Sequence, residues 1–265
     1  MPVVVLAAAW IGAPLRAQSA ERLPALNSYA QPPFTLTDDR AGGLAARLLA
    51  QLNDELAPAL AFQLEAVPRR RLEMALDGGA FRGLALFLAP EFLPPAVLGK
   101  GERWSAPVMV DENLIVTVRP LDVPSLDALR GLRLGGIVGH VYRVLGPRIE
   151  AGEIERDDAI DHVANLRKLC LNRVDFVVIS RSELAGTAPL AGCARPLRFT
   201  PFPQPQVIVR RVLVRMADER TAQATVDAVG RAACSERWRA ALAVYGLSTA
   251  GCTARPAGRG SDSGG

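Results

Sequence analysis

Ten residues, Leu171-Asn172-Arg173-Val174-Asp175-Phe176-Val177-Val178-Ile179-Ser180, constrain the fold of this chain more than any other stretch. A short polar turn runs into a dense β-branched segment, the pattern of a strand covered on both faces of a sheet. The run stops at the small polar Ser180, where such a strand opens onto a site. A helical pattern over 161–170 precedes it, so the unit reads helix, turn, central strand. The same grammar occurs once more, from Leu76-Asp77-Gly78-Gly79 through Phe81 to Leu88. Two such units predict two α/β lobes, and the junction between two α/β lobes is where a ligand cleft forms.

At 265 residues, with 49% hydrophobic content, the chain can bury one large core or two medium ones. The net charge of +4 comes from scattered arginines, with Arg69-Arg70-Arg71 the densest cluster. A nucleic-acid binder shows a broad basic face interleaved with aromatics; aromatics are 5% here, and the pattern excludes that class. Residues 1–20 read as an export signal: a short apolar segment (Val3 to Ile11) is followed by small residues at Ala17-Gln18-Ser19-Ala20. The segment lacks a basic residue ahead of its apolar core, and a buried first strand is the competing reading. No other stretch is long enough for a membrane span.

The cysteines, Cys170, Cys193, Cys234 and Cys252, have no CxxC spacing, and with two histidines in the chain no metal site is expected. In an oxidising compartment they allow two disulfides in any of three pairings. Cys234 and Cys252 flank the last helix and are the first pair to test; Cys170 also reads as a small buried hydrophobe.

Along the chain, strands are predicted at 23–29, 61–67, 81–88, 112–119, 132–138 and 206–214. Leu44, Leu48, Leu49 and Leu52 share a helical face, and a short helix follows Pro68 over 69–76. Ser125 is a helix N-cap, and Gly139-His140-Val141-Tyr142 reads as a turn into a helix whose free amides could face an anion. Helices are expected near 219–232 and 235–245, and a Gly/Ser/Arg-rich tail over 251–265 reads as disordered.

Several of these residues resemble, in order, the amino-acid-type periplasmic solute-binding proteins (family 3, periplasmic binding protein-like II fold). Tyr29-Ala30-Gln31-Pro32-Pro33-Phe34 is similar to the opening Y-x-P-F loop, and Gly43-Leu44 with its helix to the GxxxDL element. Ser105-Ala106-Pro107 resembles the S-x-P element, and Leu126 to Gly139 resembles DLxGxxVGVxxG. Asn172-Arg173-Val174-Asp175 is similar to NGRVDAVV, and Arg237-Trp238 to Tyr245-Gly246-Leu247 to the closing helix ending in YG. The resemblance implies an α/β clamshell with a mixed sheet in each lobe and two crossover segments. Lobe one would hold 21–113 and 210–250, and lobe two 114–209. The expected protein is an extracytoplasmic, periplasmic monomer that captures a small polar or anionic metabolite for an ABC permease or a sensor, without a cofactor.

The chain departs from that family at its charge anchors. Ala89-Pro90-Glu91-Phe92 stands where an arginine-bearing loop is expected after the third strand, and Ser180 stands where an aspartate would hold an ammonium group. A zwitterion without those partners would be left unpaired in a partly dehydrated cleft. Candidate replacements are Arg69 and Arg181, which can grip an anion bidentately, and His140 and Tyr142 in the glycine turn. Tyr29 and Phe34 could stack on a ligand body, with Glu91, Ser105 and Ser180 completing the ligand-binding set. An alternative is a dehydratase of the cyclohexadienyl or arogenate type with Glu91 or His140 moving a proton. Another is a degenerate homologue that no longer transports.

Overall fold

The computed structural model describes residues 22–36 and 42–252. The expected leader lies outside the described residues, as does the expected tail beyond Cys252. Lobe one holds β1 (Arg22–Asn27), α1 (Gly43–Leu56), β2 (Ala61–Ala66), α2 (Arg69–Asp77), β3 (Gly83–Leu88) and β4 (Arg103–Trp104). The chain crosses on β5 (Met109–Thr117). Lobe two holds β6 (Arg133–Ile137), α3 (Gly146–Glu150), β7 (Glu155–Ala159), α4 (His162–Cys170), β8 (Phe176–Ser180), α5 (Arg181–Ala191) and β9 (Arg198–Pro201). It returns on β10 (Val207–Arg215), and α6 (Glu219–Cys234) and α7 (Glu236–Ala243) pack back against lobe one.

The two sheets repeat one plan. Lobe one runs β2-β1-β3-β10-β4, with β1 parallel to β2 and β3, and with β10 antiparallel to β3 and β4. Lobe two runs β7-β6-β8-β5-β9, with β6 parallel to β7 and β8, and with β5 antiparallel to β8 and β9. The matching sequence units end in β3 and β8, which hold the same central place in their sheets. Each crossover strand serves both lobes. Residues 109–112 of β5 pair with 207–210 of β10, and the outer parts of the two strands then diverge into separate sheets. The connection between the lobes is therefore a two-stranded ribbon, whose β5 strand begins three residues before the expected 112.

Burial follows the periods of the sequence. In β8, Val177 and Ile179 face Leu166 and Leu169 of α4, while Phe176 and Val178 face Leu134, Ile154 and Phe202. In α1, Leu44, Leu48 and Leu52 recur every fourth residue and pack with Val229, Trp238 and Leu242. The Trp238 indole N–H donates to the Val108 carbonyl at 2.7 Å, so the closing helix is fixed beside the first crossover. Asp161, Ser180, Asp218 and Ser235 each cap the next helix with a side-chain oxygen.

Two expectations need correction, and one strand was not anticipated. Residues 139–142 form a turn, and α3 begins only at Gly146, so no helix N-terminus lies at His140. Strand β7 is Glu-Arg-Asp-Asp-Ala; as an edge strand paired only with β6 it needs no apolar face and left no hydrophobic signal. Cys170 is not a solitary apolar residue. It bonds Cys193 and ties the end of α4 to the segment after α5, while Cys234 bonds Cys252 and holds the first two residues of the expected disordered tail to α6. Opening the latter, whose cysteines are 18 residues apart, costs about 3 kcal/mol on the loop-entropy account. Urea unfolding of Cys234→Ser/Cys252→Ser should show a loss near that size.

Candidate functional site

The lobes meet around the ribbon, and the site is built outward from it. Arg210 and Asp111 stand on the paired segments of β10 and β5, with side chains 2% and 0% accessible. The guanidinium donates to Asp111 Oδ2 from Nε at 3.0 Å and from Nη2 at 2.9 Å, and Nη1 lies 3.4 Å from the Phe87 carbonyl. Its carbon lies 4.7 Å from the Tyr29 ring centre and 5.0 Å from that of Phe34. Burial acts to lower the Arg210 pKa, but the Tyr29 phenol and the Asp111 and Glu183 carboxylates outweigh it and hold the group charged. Asp111 also reaches lobe two: it accepts from the Ser182 N–H at 3.1 Å and the Ser182 hydroxyl at 2.6 Å. One buried carboxylate thus joins α5 of lobe two to an arginine wrapped by aromatic rings of lobe one.

Backbone geometry shapes the lobe-one wall. Asn27, at the end of β1, donates to the Tyr29 carbonyl and to Thr35 Oγ1, each at 3.0 Å, and accepts from the Tyr29 N–H, which folds 29–35 into a compact loop. Pro33 and Phe34 carbonyls accept the first amides of α1, Leu44 and Ala45. Phe87 adopts φ 58°, a left-handed conformation that non-glycine residues seldom take. The pairing of β3 with β10 shifts register at this point. Alternation therefore breaks, Leu86 and Phe87 both reach the α1 side, and the Phe87 carbonyl is left to face Arg210.

Lobe two contributes the N-terminal turn of α5 and the 137–142 turn. Ser180 caps α5, donates to Glu183 Oε2 at 2.6 Å and lies 3.1 Å from the Ser182 hydroxyl. Glu183 Oε1 lies 3.6 Å from His162 Nε2. His140 stacks edge-on against Tyr142 with ring centres 4.5 Å apart. It is solvent-exposed at the rim, although neighbouring atoms thin the water around it. That dehydration lowers its pKa; Glu183 opposes, while His162, Arg156 and Arg69 add to the lowering. Tyr142 is buried, its pKa pushed up to about 12 chiefly by dehydration, although its oxygen accepts from the Ile137 N–H at 3.1 Å.

Among the described residues, the lobes also touch beyond the ribbon. Gly186 of α5 lies against the Pro32 backbone so closely that a Cβ there would stand 2.3 Å from the Pro32 carbonyl carbon. Arg143 donates across to the Glu91 carbonyl at 2.7 Å.

The residues expected from sequence divide accordingly. Tyr29, Phe34, His140, Tyr142 and Ser180 gather at or next to the lobe junction, with Phe34 wholly buried in the lobe-one core. Arg69 lies close enough to influence His140, but its Nε is paired with Glu73 at 2.7 Å and its Nη2 with the Phe92 carbonyl. Arg181 pairs with Glu112 and stacks on Phe199. Glu91 has an exposed side chain and takes part through its carbonyl. The Ser105 hydroxyl is occupied in joining β10, accepting from the Val212 N–H and donating to the Ala106 carbonyl. Sequence reasoning missed Asp111, Arg210, Ser182, Glu183 and His162. Only Asp111 and Arg210 carried a signal, being charges inside otherwise apolar strand patterns. Two surface hollows, beside Ala188–Leu197 and beside Asp54–Arg237, lie away from the junction.

Two outcomes are expected. Asp111→Ala strands the buried guanidinium and should cost about 3–5 kcal/mol in urea unfolding, whereas Asp111→Leu with Arg210→Met removes both charges and should cost far less. Unfolded tyrosine ionises near 10.0, but folded Tyr142 keeps its proton to about 12, so stability should fall as pH rises across that interval. Tyr142→Phe should flatten the slope in alkaline denaturation.

No family model matches the sequence, and no curated protein matches it. Solved structures do resemble the fold. An ancestral arginine-binding protein bound to arginine superposes with a TM-score of 0.63 at 15% identity, covering 86% of this chain and 99% of that one. A histidine kinase sensor domain with similarity to periplasmic binding proteins gives 0.66 at 12% identity, covering 87% and 99%. A structure concerned with glutathione import via GshT and the cystine ABC importer TcyBC of Streptococcus mutans gives 0.65 at 10% identity, covering 85% and 95%. At these identities the likeness speaks for architecture: the chain has the two-lobed α/β fold of the periplasmic binding proteins.

Proposed function

We propose that the chain is an extracytoplasmic solute-binding protein that captures a small polar metabolite between its lobes and offers the closed form to an ABC permease or a sensor. The observation that carries this reading is a set of polar side chains from both lobes at a junction spanned by only two strands. Arg69 comes from one lobe, His140, His162 and Glu183 come from the other, and Arg210 and Asp111 form the floor. A ligand touching both walls gains contacts only when the lobes approach, which is the differential affinity that closure requires. The rigid bodies would follow the expected limits, 21–113 with 210–250 and 114–209, flexing at the ribbon. Two disulfides support an oxidising compartment. Arg69 and Arg181, the residues expected to grip an anion, are already paired with carboxylates. The dehydratase reading gains no support from Glu91, whose side chain is exposed.

Thermal-shift screening of polar metabolites tests the proposal, since a compound at 100 times its Kd adds about 2.7 kcal/mol to native stability. A panel that shifts nothing defeats it. For any compound that binds, Gly186→Ala should weaken binding at least tenfold and enlarge the liganded protein in small-angle scattering, because the added methyl props α5 off Pro32.

A further inference from the structure

Charge accounting around the junction carries the solute-binding reading one step further, to the class of ligand. The guanidiniums near the cleft are committed: Arg69 to Glu73, Arg156 to Asp158, Arg181 to Glu112 and Arg210 to Asp111. Arg143 is the exception, but it is exposed and bound to a carbonyl, where water competes with any anion. Glu183 is the reverse case. Its side chain is 19% accessible, and among the described residues no guanidinium or lysine stands within ion-pair distance of it, the buried Arg210 charge acting on it only through space. Its nearest supports are a hydroxyl, from Ser180, and an imidazole nitrogen at 3.6 Å. It sits in the first turn of α5.

Two further polar atoms, one from each lobe, lack partners. His162 Nδ1 and Gln31 Oε1 are both buried without a hydrogen-bond partner. Glu183 and Gly186 are three residues apart, on one face of α5, and Gly186 packs on Pro32, the residue after Gln31. Contact between the lobes therefore brings Gln31 toward the turn that carries Glu183. A group that would satisfy this carboxylate together with the Gln31 oxygen is rich in N–H donors and positively charged.

Resting on the solute-binding reading, we propose that Glu183 is the charge anchor of the cleft and that the ligand it holds presents a small cationic nitrogen, a primary amine or guanidinium, and needs no carboxylate. Ser180 then has a defined task. It stands where an acid would end the strand, and it holds the acid that arrives one turn later in α5.

Calorimetry and thermal shift on the full chain with putrescine, agmatine and methylguanidine, against succinate, citrate and glycerol, test the proposal. The cationic set should stabilise the wild type. Glu183→Gln should lose at least tenfold in affinity for the best cation, and Glu183→Asp should retain part of it. Stabilisation by the carboxylates or glycerol with none from the cations overturns the ligand class while leaving solute capture standing. No stabilisation by any probe, extended through the wider metabolite panel, overturns both. Equal cation affinity in wild type and a folded Glu183→Gln overturns the role of Glu183.

Discussion

The buried ion pair between Arg210 and Asp111 is the interaction on which the two-lobed arrangement turns. Placing two full charges where both side chains are almost inaccessible is costly, and their attraction offsets the cost only if the remaining donors and acceptors are also satisfied. Here they are shared across the molecule. Asp111 takes two hydrogen bonds from Ser182 in lobe two, while Arg210 faces the Phe87 carbonyl and two aromatic rings in lobe one. The pair sits in the one stretch of sheet that belongs to both lobes, so its geometry is tied to how the lobes are set. An apolar pair could fill the same space, but it would not fix α5 and the Tyr29 loop to a common point.

Local backbone features follow from this centre. Phe87 takes a left-handed conformation at the end of β3, which turns its carbonyl to the guanidinium and its ring toward Phe34 and Trp238. The conformation costs on the order of 1 kcal/mol, and packing on both sides over-determines it. Gly186 serves the opposite purpose. It is a helix-interior glycine that gives up helix propensity so that α5 can lie on the Pro32 backbone. Both positions set how near the walls of the cleft can approach.

The layered order of the fold was legible because its signals are local. The runs 83–88 and 176–180 are apolar enough to be central strands, the leucines of 44–52 recur at helical spacing, and Asp161, Ser180 and Ser235 cap α4, α5 and α7. Elements without a clear apolar period were illegible. Strand β7 is almost wholly charged, β9 lies in a proline-broken stretch, and α5 carries an internal Pro189. In the site, the loop aromatics, His140, Tyr142 and Ser180 could be picked out from their setting in the sequence. The arginines were misjudged because a sequence shows a guanidinium but not whether a carboxylate is already beside it.

The sequence by itself determined two α/β units, the alternation of helix and strand within each, and a small hydroxyl residue, Ser180, where the second central strand ends. Those properties depend on residues within a few turns of one another. Only the tertiary structure decided which charges remain uncommitted at the junction. Arg181 meets Glu112 across 69 residues and Arg210 meets Asp111 across 99, while Glu183 is left with a serine and a histidine. Pairing of charges in a cleft depends on distances in space, and the return of β10 beside β5 sets those distances.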